Sequence, residues 1–97
     1  IPASVETIGE GAFQGATNLR SVVFEADSHL TSIGPNAFQG ASALTSITIP
    51  ASVTEIAIRA FIYSALKTVY IPRTNKLGLT EGSRSFYGVT VNVIYTE

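Results

Sequence analysis

The residues best equipped for chemistry stand side by side at Asp27-Ser28-His29, and His29 is the only histidine in the 97 residues. A nucleophile, a base and an orienting carboxylate are nominally present. Working triads, however, are assembled in space from separate elements, because adjacent side chains rarely reach the required geometry. The trio therefore reads as a polar linker. As a metal ligand His29 has no second histidine and no cysteine to join it, so a zinc site lacks donors. Carboxylates are scattered over Glu6, Glu10, Glu25, Asp27, Glu55, Glu81 and Glu97. Glu25 and Asp27 are near enough to share a weakly held calcium ion, but the chain has no EF-hand or calcium-binding nonapeptide pattern. Gly78 to Gly82 lacks the lysine-Ser/Thr ending of a phosphate loop, while Gly15, Gly40 and Gly88 suit tight turns. No catalytic residue, metal site or cofactor is expected, and the chain is read as a non-enzyme.

The elements that carry these residues come from composition and repetition. Apolar residues make up 45% of the chain and charged ones 13%, enough apolar surface to collapse and too little charge for a disordered tail. The length allows one small domain with little stability in reserve. A net charge of −1 gives no global pull toward nucleic acid or an anionic membrane. Apolar runs such as Val22-Val23-Phe24 are strand-length, far short of the ~20 residues of a membrane span. No basic, apolar and small-residue succession resembling a signal peptide opens the chain. Ile1-Pro2-Ala3-Ser4-Val5 instead matches Ile49-Pro50-Ala51-Ser52-Val53, as expected of a piece cut partway through a repeating unit.

That repeat dictates the architecture. The segment Ser4 to Leu19, with Val5, Ile8, Gly9, Ala12-Phe13 and Gly15 at its key positions, recurs as His29 to Leu44 with Leu30, Ile33, Gly34, Ala37-Phe38 and Gly40. A shorter version follows with Val53, Ile56, Ala60-Phe61 and Leu66. Ile8 and Ile33 are 25 residues apart, Ile33 and Ile56 are 23. The difference lies in loops, Glu25 to Leu30 being longer than Pro50 to Val53 and one residue being missing between Phe61 and Leu66. Within each unit Leu19, Val22 and Phe24 correspond to Leu44, Ile47 and Ile49 and to Leu66, Val69 and Ile71. The last two of each set share one face of a strand by the period-two rule, and Pro50 and Pro72 end their strands. The Val5/Ile8 pair reads as a short extended piece and Ala12-Phe13 as about one helical turn.

No unit buries its apolar residues alone, but stacked neighbours do. The expected fold is a repeat solenoid of about four coils. One face is a parallel sheet of Leu19–Phe24, Leu44–Ile49, Leu66–Ile71 and a strand near Val89–Ile94; the other carries short extended and one-turn helical segments. Phe13, Phe38 and Phe61 are expected to form an internal ladder. The whole of 1–97 is one domain with repeats at about 1–24, 25–49 and 50–71 and a degenerate or capping unit at 72–97.

The pattern I-P-x-S-V-x-x-I-G-x-x-A-F-x-G-x-x-x-L-x-x-V-x-F resembles the BspA-like, or Treponema-pallidum-type, leucine-rich-repeat family from Ile1 to about Pro72. The stretch Phe24 to Gly34 is similar to that family's alternate linker. Ala16, Ala41 and Ser64 stand where the family often has cysteine. The fourth unit keeps Phe86 but loses the A-F pair and the I-G turn. The resemblance implies a surface-exposed or secreted protein and a role in adhesion, including binding to host extracellular-matrix proteins.

The expected binding face is the outer side of the main sheet, in the columns Arg20/Thr45/Lys67, Ser21/Ser46/Thr68 and Val23/Thr48/Tyr70. Tyr70 is its best anchor, offering rigid area and a polar tip, with Lys67 and Arg73 beside it. The column is not a threonine ladder, which sets ice binding aside. A protein or glycan ligand is expected, with no nucleic acid and no membrane insertion; the alternative is a purely structural spacer presenting another domain. Acids predominate through Glu55 and bases (Arg59, Lys67, Arg73, Lys76, Arg84) after it, read as a mixed solvated surface. Self-association through the N-terminal coil, whose edge would be uncovered, is also expected.

Overall fold

The computed structural model describes residues 1–80 and 84–96. Glu81, Gly82 and Glu97, which entered the charge and phosphate-loop arguments, lie outside the described residues. The chain winds as a β-solenoid, and its coils are numbered here by their phenylalanines: Phe13 in coil 1, Phe38 in coil 2, Phe61 in coil 3 and Phe86 in coil 4.

Two parallel sheets run along the stack. The smaller is made of β1 (Thr7–Ile8), β2 (Ser32–Ile33) and β4 (Glu55–Ile56), in register Ile8↔Ile33↔Ile56. These are the short extended pieces that the Val5/Ile8 pattern predicts. The larger is made of β3 (Ser46–Thr48), β5 (Thr68–Pro72) and β6 (Asn92–Thr96), in the order β3-β5-β6. Its register, Ile47↔Val69↔Val93 and Thr48↔Tyr70↔Ile94, keeps equivalent residues side by side. Ile47, Ile49, Val69 and Ile71 point inward and are buried, while Thr48 and Tyr70 between them are exposed, as alternation requires.

Two strand expectations need correction. Leu19–Phe24 is not a strand of the larger sheet, and the last strand lies at Asn92–Thr96, later than the predicted Val89–Ile94. The second shift follows from the register, which sets Val93 beside Val69 and Tyr95 beside Ile71. The first follows from the linker after Phe24, which is fastened to the upstream turn. Glu25 donates its backbone N–H to the Ile1 carbonyl and accepts the Ala3 N–H on Oε1 at 2.8 Å. His29 N–H donates to the Ala3 carbonyl. The two residues by which this linker exceeds the Pro50–Val53 turn let coil 1 keep these bonds without closing its strand onto β3.

The turn side holds all four coils together. The Phe13 and Phe38 rings stack at 5.2 Å and 10°, Phe38 and Phe61 at 5.3 Å and 6°, and Phe61 and Phe86 at 6.0 Å and 29°. Alongside, Phe13 N–H donates to the Ala37 carbonyl and Phe38 N–H to the Ala60 carbonyl. The turns carry i→i+3 bonds such as Ala12 N–H to the Gly9 carbonyl, yet among the described residues only Arg84–Phe86 is helical, as a 3-10 turn. Left-handed residues two before Phe13, Phe38 and Phe61, and two after these and Phe86, stop a helix from propagating. They are Gly11, Asn36 and Arg59 (φ 64, 58 and 66°) on one side and Gly15, Gly40, Tyr63 and Gly88 (φ 75, 76, 63 and 87°) on the other.

Coil 4 keeps this plan with polar substitutes. Asn75 occupies the turn position of Val5 and Val53, each donating its N–H to the proline three residues earlier. Buried there, its Nδ2 donates to the carbonyls of Pro50, Ala51 and Val53 at 3.0, 3.3 and 3.0 Å, and Oδ1 accepts the Leu77 N–H. Ser85 stands in the alanine column before the phenylalanine, and its hydroxyl donates to the Ile56 carbonyl at 2.8 Å. The Tyr95 hydroxyl donates to the Leu79 carbonyl.

Candidate functional site

Two surfaces are shaped for contact. The first is the outer face of the larger sheet. The parallel register sets Ser46 beside Thr68 and Thr48 beside Tyr70, as the predicted columns require, with Thr45 and Lys67 joined through their backbones at 2.8 Å. The column continues to Ile94, which pairs with Tyr70 and to which the predicted three-coil columns do not extend. Tyr70 is 37% exposed and Ile94 44%, giving an apolar spot on ordered strands with the exposed Lys67 and Arg73 near its ends. Arg20, Ser21 and Val23 are exposed but belong to the segment that has left the sheet. The structure thus brings together six of the nine predicted site residues (Thr45, Ser46, Thr48, Lys67, Thr68 and Tyr70) and leaves three apart.

The second surface is a consequence of that departure. A cleft of about 530 Å³ separates the coil 1 strand segment from coil 2, lined on one wall by Val22, Phe24, Glu25 and Asp27 and on the other by Thr48, Ile49 and Pro50. Val23, 71% exposed, sits on its outer lip.

The polar trio at the linker is structural in its contacts. Ser28 Oγ accepts the Leu30 N–H at 3.2 Å, and His29 Nδ1 lies 3.1 Å from the Ala3 carbonyl. The hydroxyl and the imidazole thus serve backbone groups on different coils. On the turn side Ile58, Tyr63 and Tyr87 are exposed, and the Arg59 guanidinium sits 5.3 Å from the centre of the Tyr87 ring.

The sequence model of the family described as BspA type Leucine rich repeat region (6 copies) matches residues 1–96. The chain belongs to that family. The BspA-type repeat is a protein-interaction repeat, generally found in surface or secreted proteins. No curated protein and no solved structure matches the chain. The match runs through coil 4, where Asn75 and Ser85 replace the repeat's apolar residues without breaking its geometry. Among the described residues of this BspA-type chain, no helix is long and apolar enough to cross a membrane.

Proposed function

We propose that the chain is a non-catalytic adhesion module of a surface-exposed or secreted protein, taking a protein or glycan partner on the outer face of its larger sheet. The observation that carries this reading is the pairing of Tyr70 with Ile94 on two five-residue parallel strands. Tyrosine and isoleucine held on a rigid frame lose little side-chain entropy on binding, and a basic residue at each end of the spot adds steering. Host extracellular-matrix proteins are the partners to test first. Immobilised matrix proteins and a glycan array, probed with the chain and with Tyr70→Ala and Ile94→Ala variants, decide the matter. A hot-spot loss of about 2 kcal/mol or more for either variant is expected. Binding that both variants leave intact would move the site off this face, and no binding at all would favour a spacer role.

A further inference from the structure

Among the described residues, the backbone groups that coils 1 and 2 turn toward each other beside the cleft are not bonded to one another. In an extended chain the N–H and C=O of one residue point to the same side, and those of the next to the opposite side. In coil 1 the Val23 carbonyl accepts from the Ile1 amino group and Glu25 N–H donates to the Ile1 carbonyl. The groups of Val22 and Phe24 therefore point the other way, toward coil 2. In coil 2 the Thr45 carbonyl accepts from Lys67 and Thr68, and Ile49 N–H donates to the Tyr70 carbonyl. The groups of Ser46 and Thr48 therefore point toward coil 1. Among the described residues, no hydrogen bond joins Val22–Phe24 to Ser46–Thr48. Elsewhere the same two coils are tightly zipped, through β1 and β2 and through Gly34, whose α-carbon hydrogen position lies against the backbone of Gly9 and Glu10.

We propose that this slot receives an extended peptide strand of a partner protein, inserted between coil 1 and coil 2 and hydrogen-bonded to both. The proposal rests on the reading of the chain as a protein-binding module but uses a different surface. An ordinary edge offers one row of donors and acceptors, as in strand addition to a sheet. The slot offers two, and its volume of about 530 Å³ lies within the ~300–1,000 Å³ of clefts that hold ligands. Its walls also specify side chains. Inward residues of the guest would lie among Val22, Phe24 and Ile49 and should be apolar; outward ones would lie between Val23 and Thr48 and tolerate polarity. Glu25 and Asp27 stand at the end toward which the host strands run, and the lining includes no basic residue. A guest running parallel to its hosts should carry arginine or lysine at its C-terminal end.

The test uses the whole chain and the capped peptide acetyl-Thr-Val-Thr-Val-Thr-Arg-amide. Amide hydrogen exchange of Val22, Phe24, Ser46 and Thr48 should be fast in the free chain and slow when peptide is added. The reversed peptide, with arginine first, should bind less well, and the difference should shrink at high salt. Peptides N-methylated at both valines, or at the two inner threonines, each remove donors toward one wall. Both should bind about tenfold more weakly or worse, since two lost bonds are worth on the order of one decade. If only one of the two N-methylated peptides is weakened, the guest lies on a single edge and the slot is not its site. The proposal is also overturned if no binding is seen up to about 1 mM, or if the four amides are already protected in the free chain. Protection that rises with protein concentration alone would overturn it in favour of a second copy as the occupant. None of these readouts involves the outward side chains of Tyr70 and Ile94, so the slot and the sheet face stand or fall separately.

Discussion

Asn75 stands in the turn position that Val53 holds one coil earlier, and its side-chain amide donates to the Val53 carbonyl at 3.0 Å. The apolar column of Leu30 and Val53 thus passes in coil 4 to a polar residue whose Nδ2 donates to carbonyls of the coil beneath it. Buried polar groups are costly only when left unpaired, and Asn75 pairs both ends of its amide.

Replacing Asn75 by alanine should cost about 1–3 kcal/mol, because the carbonyls of Pro50, Ala51 and Val53 and the Leu77 N–H lose their partner in a buried site. Asn75→Val restores the apolar residue of the other coils but supplies no donor, so it should not recover the loss. Urea unfolding of the three proteins measures the order. A valine variant as stable as the parent would mean that the column prefers packing to hydrogen bonding here.

Phe38 is fully buried between two stacked neighbours, whereas Phe13 has one ring neighbour and is half-buried. Phe38→Ala should therefore cost ~3–5 kcal/mol. Phe13→Ala should cost clearly less. Against the ~5–15 kcal/mol of a typical small domain, the first change brings the chain near its unfolding threshold. A shift below about 1 kcal/mol for Phe38→Ala in denaturant melts contradicts the ladder as a source of stability.

Tyr63 occupies the left-handed position that Gly15, Gly40 and Gly88 occupy in the other coils, and it is 72% exposed. A non-glycine residue there costs roughly 1–2 kcal/mol, partly offset by the greater freedom glycine has when unfolded. Tyr63→Gly should therefore stabilise by roughly 1 kcal/mol, and Gly15→Ala, where the added carbon meets nothing within 4 Å, should destabilise by about as much. Thermal melts of the pair provide the comparison. Equal melting temperatures for parent and Tyr63→Gly would show that the Tyr63 side chain contributes contacts that balance the strain.

Gly34 poses a different constraint, since its φ is ordinary but a methyl group there would stand 2.8 Å from the Glu10 nitrogen and 2.9 Å from the Gly9 carbonyl carbon. These are backbone atoms and cannot swing aside. Gly34→Ala should cost on the order of 1–3 kcal/mol by forcing coils 1 and 2 apart. Backbone chemical shifts of Ile8 to Glu10 should move with it. A neutral substitution with unchanged shifts would argue against so close an approach.

Much of this was legible in the residues. The Phe13-Phe38-Phe61 spacing predicts the ladder, and the inward pairs Ile47/Ile49 and Val69/Ile71 predict the buried rows of the larger sheet. Tyr70 and its neighbour Thr48 fall on the predicted outer face. Three features were not legible, each for a physical reason. The withdrawal of Leu19–Phe24 depends on where the longer linker anchors, through Glu25 and His29 to a turn more than twenty residues away in sequence. The role of Asn75 depends on carbonyls contributed by a different coil, and one side chain's identity does not reveal them. Ile94 was missed because coil 4 lacks the landmarks that fix register in the others.

The slot between coils 1 and 2 has a consequence for how the chain comes apart. In a stacked array each unit is coupled only to its neighbours, and the free energy is close to a sum of unit and interface contributions. Coils 2, 3 and 4 are joined along both sheets or their continuation through Asn75 and Ser85 and along the aromatic ladder. Coils 1 and 2 share the ladder and the smaller sheet but lack the larger one. That interface is joined on the turn side and not along the larger sheet, so the first coil should open as a separate cooperative unit, at a lower free energy than the other three. An inserted strand would bridge the two units, and the same event that captures a partner would turn two melting transitions into one.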